Sequence, residues 1–142
     1  MAGINETLEK MGLDYLDMMI IHSPQPWAKV NQCEDRYVEG NRAAWKALED
    51  AYEAGKLKAI GISNFQIEDI ASLLETAKIK PMVNQILLHI SNTPMELVEY
   101  CRKNNIVVEA SILTNCTWLN IKSTGDNCDC KEVWRDCSTA LH

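Results

Sequence analysis

Long apolar runs are missing from this 142-residue chain: the longest, such as Met18 to Ile21 and Ile86 to Leu88, fall far below the roughly 20 residues a membrane-crossing helix needs. A bilayer-spanning helix, and with it a membrane partner, is not expected. The N-terminal MAGINETLEKMG mixes acids with bases and has no apolar core, so it does not read as a secretory signal, and a cytoplasmic location is the expectation. Basic residues are also scarce. Lys plus Arg number 14 against 20 Asp plus Glu, a net charge of -6, which works against nucleic acid as a partner because phosphate neutralisation supplies most of that affinity. No long Pro, Ser or Gln tract marks a disordered segment. No G-x-G-x-x-G follows any apolar run, so the usual phosphate-cradling fingerprint of dinucleotide-binding sheets is absent.

What is present is a core-forming composition, 46% hydrophobic and 24% charged, in a regular alternation. Ile4, Leu8 and Met11 fall on one helical face, and Gly12 then supplies a left-handed helix end. Tyr15 to His22 is nearly continuously apolar, as suits a parallel strand buried on both faces, and Pro24 and Pro26 close it. Trp45, Leu48 and Tyr52 mark an amphipathic helix ended by Gly55. Leu57 to Ser63 reads as a second strand, followed by a helix with Ile67, Ile70, Ala71 and Leu74 on one face. Pro81 stops that unit, and a third strand runs from Met82 to Ile90. The next helix begins with Thr93, Pro94 and Glu96, read as a capping box with proline in the first turn, and Ile106 to Ile112 forms a fourth strand.

The expected class is therefore α/β, with about four parallel strands joined by crossover helices over residues 1–112. Periodicity alone leaves open a doubly wound sheet or a sector of a (β/α)8 barrel. Residues 113–142 break the rhythm as a polar, Cys-rich tail, in which a short helix over Lys131 to Leu141 is conceivable. Of six cysteines, Cys116, Cys128, Cys130 and Cys137 crowd this tail, but their spacing fits no strong zinc template and no metal is expected. Reduced thiols are the plainer reading.

In either fold, chemistry concentrates just past the carboxyl ends of parallel strands. His22, Ser63, Asn64 and His89 stand there, with Gln85 within its strand. His22 is suited to donate a hydrogen bond to a substrate oxygen or to shuttle a proton; a packed histidine satisfied by a carbonyl is the plainer alternative. Ser63 or Asn64 could simply cap the following helix. Gln85 carries an amide that needs partners in an apolar strand, from backbone or from a ligand amide. His89 and His142 show no evident partner in the sequence.

The segments GLDYLDMMIIHSPQPW, AWKALEDAYEAGKLKAIGISNF, ETAKIKPMVNQILLHI and ELVEYCRKNNIVVEA, in that order, resemble the central portion of the aldo-keto reductases over roughly residues 1–110. The resemblance implies a partial (β/α)8 TIM barrel and NADPH-dependent reduction of small-molecule carbonyl substrates by hydride transfer. It places the family's substrate-orienting catalytic histidine at His22, and the groups that hold the nicotinamide carboxamide at Ser63, Asn64 and Gln85. The family's catalytic Asp, Tyr and Lys find no counterpart, and Ser111-Ile112-Leu113 stands where the family has a stacking aromatic followed by Ser-Pro. A truncated or frame-shifted product, nearly inactive alone, is the expectation. Four strands of eight cannot close, so self-association through exposed sheet edges is expected too. The alternative is a non-catalytic half-barrel remnant or assembly module.

Overall fold

A computed structural model of the chain describes residues 2–30, 34–89 and 92–111. All of these fall in one compact unit, Met1–Ile112. The Cys-rich tail with its helix and zinc-ligand readings lies outside the described residues.

Apolar period and turn chemistry account for the elements. In α1 (Ala2–Met11), Ile4 and Leu8 are buried one turn apart. Met11 departs from the expected face and is 57% exposed, because the chain turns away at Gly12 (φ 65), and Leu13 N–H donates back to the Leu8 carbonyl at 3.0 Å. Strand β1 (Met19–Ile21) is shorter than the apolar run that contains it; one isolated parallel bridge, Leu16 to Leu57, precedes it. Helix α2 (Val38–Glu53) buries Trp45, Leu48 and Ala51, and Gly55 (φ 74) follows it before β2 (Ile60–Ser63). Helix α3 (Ile67–Leu74), strand β3 (Val83–Leu87), helix α4 (Met95–Lys103) and strand β4 (Val107–Ser111) complete the series.

The capping box expected at Thr93 does not form. Pro94 is the N-cap of α4 and makes no side-chain cap bond, while the Thr93 hydroxyl donates to the His89 carbonyl at 3.2 Å. His89 and Asn92 exchange backbone hydrogen bonds across the β3–α4 connection, so the hydroxyl is drawn into closing the loop.

Strand order follows chain order, β1-β2-β3-β4, and every neighbouring pair is parallel. A doubly wound sheet reverses its strand order at a switch point and carries helices on both faces. Here the order never reverses, and one core joins Ile4, Trp45, Ile70 and Leu97 from the four helices to Ile60, Ile62 and Ile86 of the sheet. Same-handed crossovers between successive strands produce this one-sided layering. The choice left open by periodicity is thus decided: four parallel strands and their helices form a sector of a (β/α)8 barrel.

Side-chain alternation separates the two faces of the sheet. Ile60, Ile62, Asn84 and Ile86 point to the helices; Ile20, Gly61, Ser63, Val83, Gln85 and Leu87 point to the opposite, inner face. Much of that inner face is open, with Leu87 40% and Val107 66% exposed. At Gly61 the strands approach so closely that a Cβ would lie 2.3 Å from Val83 Cγ1 and 3.0 Å from the Val83 carbonyl oxygen. Overpacking there requires the backbone to shift, so Gly61→Ala is expected to cost about 1–3 kcal/mol of stability, read as a lower chemical-denaturation midpoint. An unchanged midpoint would show that β2 and β3 part without strain.

Candidate functional site

The site is built where β1 and β2 end, beside the middle of β3. Ser63 and Gln85 are register partners on the inner face. The buried Ser63 hydroxyl donates to the Gln85 carbonyl at 2.9 Å, and the Asn64 backbone N–H donates to the same oxygen at 2.9 Å. Asn64 adopts a left-handed conformation (φ 62), one that asparagine tolerates better than most residues. That turn swings its side chain toward the residue just past β1, where Asn64 Nδ2 donates to the His22 carbonyl at 2.9 Å and to Ser63 Oγ at 3.0 Å. The four residues singled out in the sequence are therefore joined at one end of the sheet.

Neither Ser63 nor Asn64 serves as a helix cap. The N-cap of α3 is Gln66, whose backbone N–H donates to Asp69 Oδ2 at 2.8 Å. The common structural use of both residues is thereby taken over by Gln66 and Asp69, three positions apart. Among the described residues, the Gln85 side-chain amide and Asn64 Oδ1 have no hydrogen-bond partner, although Gln85 is only half-exposed. A carboxamide ligand brings both a donor NH2 and an acceptor oxygen, and these open groups offer it both kinds of partner.

The His22 ring stands at the mouth, exposed, and stacks on Trp27 with ring centroids 4.9 Å apart and planes 13° from parallel. Trp27 opens a short 3-10 turn (Trp27–Lys29) and is 65% exposed. Stacking favours one plane for the imidazole.

The loop carrying Trp27 is held by residues whose importance the sequence did not signal. Arg36 forms a two-pronged ion pair with the buried Asp69, its Nε lying 2.8 Å from Oδ1, and also reaches Gln25 Oε1 at 3.4 Å. Asn41 Nδ2 donates to the Pro24 and Arg36 carbonyls at 2.9 and 3.0 Å. Glu49, also buried, accepts from the Lys78 and Ile79 backbone N–H groups at 2.7 and 2.8 Å, pinning the chain ahead of β3 to α2. A single sequence has no periodic signal for such long-range polar pairs.

Beneath the turn lies Asn84, fully buried on the helix side of β3. Its Nδ2 donates to the Phe65 carbonyl at 3.1 Å and approaches Cys101 Sγ of α4 at 3.7 Å. Its Oδ1 is buried with no partner among the described residues. Burial pushes the Cys101 thiol up from its ordinary value, and the Asn84 contact opposes that rise in part. Among the described residues, no cluster of His, Cys, Asp and Glu could hold a metal ion, and no helix is long and apolar enough to cross a membrane.

A one-sided sequential α/β sheet with its strands in chain order defines a sector of the (β/α)8-barrel class. The chain belongs to the aldo/keto reductase family, whose family model matches residues 1–138. That match runs past the residue-110 limit of the likeness read from the segments above, into the stretch outside the described residues. An uncharacterised oxidoreductase, YtbE, of Bacillus subtilis is 44% identical over 110 residues, covering 78% of this chain and 35% of that protein. The glyoxal reductase of the same organism is 42% identical over 110 residues, covering 78% and 36%. The crystal structure of a Bombyx mori aldo-keto reductase in complex with NADP superposes with a TM-score of 0.60 at 35% identity, covering 75% of this chain and 34% of that one. The chain spans about a third of the length of the relatives it matches.

Removing Arg36 would leave the Asp69 carboxylate buried with only its capping bond. Arg36→Ala is therefore expected to destabilise the fold by on the order of 3 kcal/mol in urea denaturation. Lys10→Ala, which removes the exposed i,i+4 pair with Glu6, is expected to cost no more than about 0.5 kcal/mol. Equal effects would show that the Arg36 pair contributes no more than a surface contact.

Proposed function

We propose that this chain contributes to NADPH-dependent reduction of small-molecule carbonyls, holding the nicotinamide carboxamide at Ser63, Asn64 and Gln85 and orienting the substrate at His22. The observation that carries this reading is the bridge made by Asn64, whose amide nitrogen reaches the His22 carbonyl while its backbone N–H is fixed on Gln85. Both contacts are to main-chain carbonyls, and they support the reading by tying the residue proposed to orient the substrate to the turn proposed to hold the carboxamide. NADPH would supply the hydride when bound. Family membership, and the NADP complex of the Bombyx mori relative, support the choice of cofactor.

The chain's own residues have separable tasks in this reading. Gln85 and Asn64 fix the plane of the carboxamide by hydrogen bonds, while the Ser63 hydroxyl, which donates to the Gln85 carbonyl and accepts from Asn64 Nδ2, keeps one lone pair for a ligand donor. His22, held in plane by Trp27, donates an N–H to the carbonyl oxygen of the substrate. No residue in the 142 is matched to the family's proton-donating Tyr or to its Lys and Asp, so turnover by this chain alone is expected to fall short of a complete relative by a factor of at least about 100–10,000.

Titrating NADPH against the full chain by fluorescence tests the binding half. Saturable binding is expected, weakened about tenfold by Gln85→Ala, the worth of roughly one to two hydrogen bonds. Absence of binding would overturn the proposal, and turnover at the rate of a complete relative would overturn the role given to the missing groups.

A second reading, assembly of half barrels, is favoured by the exposed apolar inner face at Leu87 and Val107 and by β1 and β4, each with one strand neighbour among the described residues. Its occupant would be a second copy of the chain. Analytical ultracentrifugation is expected to show concentration-dependent dimers or larger species; a stable monomer throughout would exclude it.

A further inference from the structure

Asn84 is hard to explain as a core residue. It is fully buried on the helix side of β3, in register with Ile62 and beside Cys101, where a Leu or Val would leave no polar atom behind. Instead an amide is present whose Oδ1 has no partner among the described residues. An unsatisfied buried acceptor is destabilising, so the other end of the amide must answer a need that apolar packing cannot meet.

That end meets the Phe65 carbonyl at 3.1 Å. Phe65 is the residue immediately after the left-handed Asn64 and immediately before Gln66, the N-cap of α3. The turn is consequently gripped on both sides by one dipeptide. The Gln85 carbonyl takes the Asn64 N–H and the Ser63 hydroxyl at the end of β2, and the Asn84 side chain donates to the Phe65 carbonyl from beneath. Without the second grip, the 65–66 peptide plane can rotate, and the Asn64 conformation that sends its side chain to His22 loses its anchor.

We propose that Asn84 is a positioning residue: through the Phe65 carbonyl it locks the Ser63–Asn64 turn in the left-handed conformation that sets the carboxamide-holding groups. The cofactor part of this role rests on the function proposed above; the locking of the turn does not. Asn84 is buried on the helix side of the sheet, opposite the face that carries Gln85, and acts only through the turn.

Two measurements on the full chain separate these parts. In Asn84→Leu, which keeps the core apolar and removes the donor, hydrogen exchange of the Asn64 amide by NMR is expected to speed up about tenfold or more. The Met82 amide, which donates to the Ile60 carbonyl at 2.9 Å at the other end of the same strand pair, is expected to keep its protection. Cys101→Ala, which opens the same core region but leaves the Asn84 donor in place, should leave the Asn64 amide protected. NADPH affinity should follow the Asn64 amide, falling about tenfold in Asn84→Leu and little in Cys101→Ala. Unchanged Asn64 protection in Asn84→Leu, equal loss at Met82, or equal loss of Asn64 protection in Cys101→Ala would overturn the positioning role. If the wild-type chain binds no NADPH, the cofactor reading fails by itself and the exchange comparison still decides the role of Asn84.

Discussion

The Gln85 carbonyl oxygen is the point on which the site depends. By accepting both the Ser63 hydroxyl and the Asn64 N–H, it converts the end of the β2–β3 ladder into a turn with one defined conformation. A side-chain hydroxyl and a backbone amide converging on one acceptor leave little freedom to the peptide between them. From that fixed turn, Asn64 reaches a neighbouring strand 42 residues away in sequence. The polar groups of β1, β2 and β3 are thus ordered relative to one another by hydrogen bonds as well as by the sheet.

The supports around this point are polar contacts set into an apolar layer. Asp69 caps α3 and is neutralised by Arg36, so one carboxylate links the helix start to the loop that follows β1. Glu49 ties α2 to the chain entering β3, and Asn84 ties β3 to the turn beneath the site. Buried polar groups are costly when unpaired, so each contact fixes one relative placement of two elements. The helix side of the sheet is therefore rigidly specified, whereas the inner face at Leu87 and Val107 stays open.

Much of the fold was legible in the letters because burial imposes a period. Ile4 with Leu8, Trp45 with Leu48, and the apolar strand centres Ile60 and Ile62 all sit where spacing put them. The ends of elements were less legible. Thr93 has the letters of a capping box, but its hydroxyl is taken by His89; Met11 continues the period of α1, yet Gly12 has already turned the chain. In both cases a nearby turn competes with the helix for the same group or direction, and such competition has no periodic signature. The candidate site was visible as residue types at strand ends, and the motif resemblance gave those types their expected roles.

Sequence by itself determined the alternation of helices and strands, the apolar faces, and the placing of His22, Ser63 and Asn64 at strand ends and of Gln85 within its strand, since these follow from side-chain polarity and local backbone preference. Only the tertiary structure decided that the strands run in chain order with helices on one side, that Gln66 and not Ser63 or Asn64 caps α3, and that Asn84 and Arg36 brace the site. Those features rest on contacts between residues far apart in the chain. Such contacts depend on how elements pack, and no local period in the amino-acid order encodes them.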